Sequence, residues 1–150
     1  MRQGASLQGG VMTLNLIKMA VGVSDMAELK KLQKQRRKER GRACFYTRNT
    51  PKRAEELLDG GSIYWVIRRQ VMARQRLKRI GHAIGKDGRR YCAIDYEMKL
   101  IPVMPRPYRA FQGWRYLTPA NAPPDRPKGV DSGEKLPPKL ARELRELGLL

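Results

Sequence analysis

The spacing of apolar residues changes repeatedly along the chain, and each change marks an element. From Leu14 to Ala20 apolar and polar positions alternate, with Leu14, Leu16 and the stem of Lys18 on one face and Ile17 and Met19 on the other. This predicts a strand that stops at Gly22. Asp25 followed by Glu28 has the spacing of a capping box, and Met26, Leu29 and Leu32 then recur at helical spacing. The stripe ends before KQRRKERGR, so the first half of this helix is expected to dock and the second to project as a basic arm. Ala43 to Thr47 predicts a short strand, and Thr50-Pro51 predicts the start of a helix running to Gly60, with Ala54, Leu57 and Leu58 inward.

Ile63 to Ile67 is apolar on both faces and rich in β-branched and aromatic residues, the pattern of a central strand with Trp65 in the core. Val71 to Ile84 fits both periods. The Asp87-Gly88 turn and the alternating Tyr91 to Tyr96 decide for a long hairpin, with a bulge near Lys78 and Arg79 where the alternation slips phase. Lys99 to Met104 reads as an edge strand because of Pro102, and Trp114 to Leu117 as a last strand. The expected organisation is a leader over 1–11, one domain over 12–117, a proline-rich linker over 118–138 and a short helix over 139–150. The fold class is α+β: a small curved, mainly antiparallel sheet or barrel with two or three flanking helices.

Composition adds a partner class. The 150 residues carry 32 Lys and Arg against 14 Asp and Glu, a net charge of +18, which a folded domain tolerates best beside a polyanion. Between Lys30 and Arg53, Glu39 is the only acid, so much of the basic excess falls within the expected domain. Two cysteines and the single His82 supply neither a disulfide framework nor a four-ligand zinc site within one chain, and fit a reducing cytoplasm. No apolar run has the length of a membrane span.

The candidate chemistry follows the charge. Arg68, Arg69, Arg74, Arg76, Lys78 and Arg79 form a basic run without a carboxylate. On a strand Arg74, Arg76 and Lys78 share a face about 7 Å apart, close to the phosphate spacing of a nucleic-acid strand. Arg48, Lys52, Arg53 and Arg115 are expected nearby, with Trp114 or Tyr64 as a stacking platform for a base. No nucleophile stands in a recognised catalytic context, Gly60-Gly61 lacks the rest of a phosphate loop, and no cofactor is expected.

The blocks FYTRNTPKRAEELLDGGSIYWVIRRQVMARQRL and RAFQGWRYLTPANAPPD, with the Asp87-Gly88 turn between them, resemble a family of bacterial proteins of unknown function, over Leu14 to Asp125. That resemblance implies no activity. The order of elements is also similar in layout to the PUA-like barrels, including the ASCH and EVE groups, which implies a small mixed barrel and binding of RNA or a modified base. The expectation is an RNA-binding protein, with DNA as a possible partner, linked to translation or RNA modification. Two other classes stay open: a metal-dependent enzyme of nucleic-acid or nucleotide metabolism using Glu55, Glu56 and Asp59, and a protein-interaction adapter whose proline-rich segment and C-terminal helix bind a partner.

Overall fold

The computed structural model describes residues 13–127. The expected leader, the C-terminal helix and the linker beyond Pro127 lie outside the described residues. Within them the chain forms seven strands, β1 (Asn15–Met19), β2 (Cys44–Thr47), β3 (Ser62–Ile67), β4 (Gln70–Ile84), β5 (Arg90–Tyr96), β6 (Ile101–Pro107) and β7 (Trp114–Leu117). Two α-helices, α1 (Met26–Arg40) and α2 (Ala54–Leu58), accompany them, with a 3-10 turn at Pro119–Asn121. The fold is α+β and dominated by an open mixed sheet.

β4 organises the sheet. The strand order is β2-β5-β4-β3-β1-β7, with β6 also on β4, and only β1 with β3 is parallel. Residues Gln70 to Arg76 of β4 pair with β3, and Gln70 to Arg74 also pair with β6, whereas Leu77 to Ile84 pair with β5. One strand therefore serves two sub-sheets, a larger one of β7-β1-β3-β4-β6 and a smaller one of β2-β5-β4. The expected hairpin and its bulge are both present: Leu77 faces Tyr96 and Arg79 faces Asp95, leaving Lys78 as the extra residue. Leu77 is accordingly buried, Lys78 and Arg79 are both exposed, and Ile80 turns back to the core.

The larger sheet buries both faces. On one side Leu16, Ile63, Trp65 and Ile67 meet Leu29 of α1, Leu57 of α2, and Phe45, Ile94 and Tyr96 of the smaller sheet. Phe45, Trp65 and Tyr96 pack with ring centroids 6.0–6.5 Å apart. On the other side Ile17, Tyr64, Val66, Val71, Val103 and Leu117 are covered by Tyr108, Phe111 and Ala122. The run from Thr118 to Arg126 lies over the sheet, where Val103 bridges Asp125 and the Arg126 amide donates to Pro102 O at 2.9 Å. That contact uses the outer edge of β6, the edge position its proline demanded.

Two helix expectations are corrected. α1 starts at the anticipated cap, with Glu28 N–H donating to Asp25 Oδ1 at 2.8 Å and Ser24 N–H to Glu28 Oε1 at 2.7 Å. Its basic half is not a free arm: Gln33 is buried, and Arg40 donates to Cys44 O at 2.8 Å and lies over the Tyr46 ring. The inward face simply continues in polar residues. α2 begins at Ala54, with no side-chain cap, and not at Pro51. Tertiary contacts override the local start signal, because Thr50 turns its hydroxyl to His82 Nε2 (3.4 Å) and the Arg53 amide donates to Tyr116 OH (3.1 Å).

Candidate nucleic-acid interface

The expected site residues fall in five places. Arg74, Arg76 and Tyr64 come together. Antiparallel register sets Arg74 opposite Tyr64 and Arg76 opposite Ser62, so the two arginines share a face with Tyr64 and Ser62. They line a cleft of about 490 Å³ with Thr13, Asn15, Gly60 and the Pro123–Asp125 segment. Hydrogen bonds hold the cleft wall at Ser62: Asn15 Oδ1 accepts from Ser62 N–H at 3.0 Å, and Arg74 Nη1 donates to Ser62 Oγ at 2.9 Å.

Arg74 and Arg76 differ in what they can do. Arg74 makes a two-pronged pair with Asp125, Nε to Oδ1 at 2.7 Å and Nη2 to Oδ2 at 2.9 Å, and this bonding raises its pKa further. Its charge is neutralised locally, and it pins the overlying segment. Arg76 is exposed, and its side chain has no hydrogen-bond or ion-pair partner among the described residues, so its guanidinium is available at the cleft. Tyr64 is 7% exposed, and burial pushes its hydroxyl pKa up. It forms wall, with no open ring face.

Arg68 and Arg69 occupy the two-residue turn between β3 and β4, both with positive φ (52° and 65°). Tyr108 N–H donates to Arg69 O at 2.8 Å, which clasps the turn to the chain after β6. Lys52, Arg53 and Trp114 form a third group. Trp114 Nε1 donates to Asn49 O at 2.9 Å and its ring meets Tyr116 edge-on at 5.0 Å, while Arg53 lies over Tyr116 and pairs with Glu56 at 2.6 Å. Arg115 points to the opposite face of β7, over the Phe111 ring at 4.8 Å. Arg48 follows β2, close enough to the β4–β5 turn that its charge depresses the Asp87 pKa, after the larger effects of the Tyr91 and backbone hydrogen bonds.

Thr13, Asn15, Ser62 and Asp125 escaped the sequence reading. Asn15 gave a weak signal, a polar residue inside an apolar strand, whereas Asp125 lies 51 residues from Arg74 with nothing local to link them. Among the described residues no group of three or more His, Cys, Asp or Glu side chains could hold a metal ion. Cys44 and Cys92 are free and buried, and no described helix is long and apolar enough to cross a membrane.

The model of a protein family described as "Protein of unknown function (DUF1489)" matches residues 16–150. The chain belongs to this family. No curated protein and no solved structure matches the chain. For this DUF1489 chain, chemistry must therefore be argued from the cleft and the distribution of charge around it.

Proposed function

We propose that the protein binds RNA, with Arg76 at the cleft of the larger sheet and Arg68 and Arg69 at the turn that closes the other end of the β3–β4 hairpin holding phosphates. The observation that carries this reading is the partition of the arginines. Glu56 pairs with Arg53, Asp125 with Arg74, and Asp95 is shared by Arg42 and Arg79, whereas Arg48, Lys52, Arg68, Arg69 and Arg76 have no ion-pair partner among the described residues. Cations left unpaired on a chain of net charge +18 favour a polyanion. The order of elements, with one long hairpin strand shared by two sub-sheets, supports a PUA-like arrangement as the finer architecture, and RNA is the partner that such a layout implies. The phosphate contacts supply affinity with little sequence preference and a steep salt dependence.

Binding of purified protein, stripped of co-purifying nucleic acid, to labelled single-stranded RNA, structured RNA and DNA across a salt series tests this. Arg76→Glu is expected to weaken RNA binding at least tenfold and to flatten the salt dependence. Equal, weak binding of wild type and variant to all three ligands would remove the proposal.

A further inference from the structure

The outer face of the smaller sheet carries a second groove, separate from the cleft. Cross-strand register places Tyr46, Ala93 and Gly81 in one row and Tyr91 and Ala83 in the next, all on the face turned away from the core. Small residues floor the face, and the two tyrosines stand above it. A groove of about 600 Å³ runs here, lined by Tyr46, Ala83, Ile84, Lys86, Asp87 and Tyr91, together with Gly85. Tyr46 is 42% exposed on this face, and Ile84, the last residue of β4, lines the groove from the strand end and is 70% exposed.

The groove is built and not incidental. Tyr91 OH donates to Asp87 Oδ2, and Asp87 Oδ1 accepts from Arg89 N–H at 3.0 Å, so the tyrosine and the turn hold each other. A Cβ on Gly85 would stand 2.9 Å from Asp87 Oδ1 and 3.2 Å from the Tyr91 ring, so only glycine leaves this wall in place. Arg40 covers Tyr46 at 5.0 Å from its ring centroid, yet does not line the groove, so the aromatic edge of the groove is left to the ligand side. Cations surround the apolar floor: Lys86 lines it, and the charges of Arg48 and Arg89 are both felt at Tyr91.

An apolar, aromatic slot ringed by cations fits an unpaired base whose flanking phosphates need neutralising. We infer that this groove is a base-stacking subsite for a single-stranded RNA segment, with the base against Tyr46 and Arg48, Lys86 and Arg89 at its phosphates. The inference rests on the RNA-binding reading and adds to it the class of RNA, one with an unpaired nucleotide. It also supplies the stacking surface that buried Tyr64 and pinned Trp114 do not.

The test uses the full chain, with fluorescently labelled oligouridylate and an abasic oligonucleotide of equal length and charge. Tyr46→Ala is expected to lose roughly ten- to a hundred-fold in affinity for the oligouridylate, the range of one stacked base. It should change less than twofold on the abasic strand, and Tyr46→Phe should bind like wild type. Ile84→Glu, at a position exposed enough to leave folding intact, should weaken both ligands and the base-bearing one more. If wild type binds RNA with steep salt dependence while Tyr46→Ala and Ile84→Glu bind as wild type does, the subsite is refuted and RNA binding stands. If wild type binds neither strand, the parent reading falls first. If Ile84→Glu instead dissociates a dimer in sedimentation without affecting RNA, the groove is a self-association surface and the inference is overturned.

Discussion

Gly61 shows how tightly the site's supporting turn is built. A Cβ there would lie 2.3 Å from Leu57 O and 2.4 Å from Leu14 O, both backbone atoms that cannot swing aside. Gly61→Ala should therefore cost about 2–4 kcal/mol, measured as a drop in the urea midpoint, and should loosen the turn that leads from α2 into β3. Gln75 makes the opposite point, because it is a polar residue that belongs in the core. It is fully buried, exchanges hydrogen bonds with Gln33 at 2.7 and 2.8 Å, and accepts from Trp65 Nε1 at 2.7 Å. Removing the Gln33 amide leaves part of this network unsatisfied, so Gln33→Ala is expected to destabilise by about 1–3 kcal/mol. A polar side chain on a strand is ordinarily read as solvent-facing, and its partner lies 42 residues away. That is why this part of the core was not legible in the sequence. Tyr96 supplies a pH dependence. Burial pushes its hydroxyl pKa up to about 12, above the unfolded value near 10, so the fold favours the neutral form. The resulting stability is complete below pH 10 and is lost as pH rises from about 10 towards 12, a change on the order of 2–3 kcal/mol. Urea midpoints at pH 9 and pH 11.5 should show that loss in wild type and a smaller one in Tyr96→Phe.

At the scale of elements, the β3–β4 turn stands out because its residues are the wrong ones for stability. A two-residue turn with positive φ at both positions favours Asn-Gly, and holding arginines there costs of order 1 kcal/mol or more. Arg68→Asn with Arg69→Gly is expected to raise the thermal midpoint while lowering the salt slope of RNA binding by up to about one per lost phosphate contact. A rise in stability with unchanged binding would make the arginines bystanders. The same turn explains a gap in the sequence reading. The strands on either side were legible from alternation and β-branched content, but Arg-Arg carries no turn signal. By contrast, the bulge was legible because Leu77 and Ile80 both need the core and strict alternation cannot serve both. The docking of the second half of α1 is hidden in the sequence for a related reason: apolar periodicity stops at Leu32, whereas Gln33 and Arg40 continue the inward face with hydrogen bonds.

For the molecule as a whole, like charge is a standing load on the fold. With +18 on the chain and exposed cations on α1, on the β3–β4 turn and around the outer groove, added salt should raise the thermal midpoint at neutral pH even as it weakens RNA binding. Opposite signs in the two assays separate self-repulsion from ligand attraction. The sheet-dominated α+β class could be read from the chain because it depends on local period. The cleft and the groove could not, because each joins residues far apart in sequence: Asn15 with Asp125, and Tyr46 with Tyr91.

Lys78 has a further consequence when the chain is considered as a text that can gain or lose letters. The bulge absorbs this single extra letter and so keeps the phase of everything from Arg79 to Ile84. Straightening the bulge while keeping Lys78 would turn that half of β4 inside out, sending Ile80 outward and Arg79, Gly81 and Ala83 towards Phe45 and Ile94, whereas deleting Lys78 leaves Leu77, Arg79 and Ile80 opposite Tyr96, Asp95 and Ile94 in regular alternation. Family members that keep the outer groove are therefore expected to carry either two residues with a bulge or one residue without it between the positions of Leu77 and Ile80, and no other spacing.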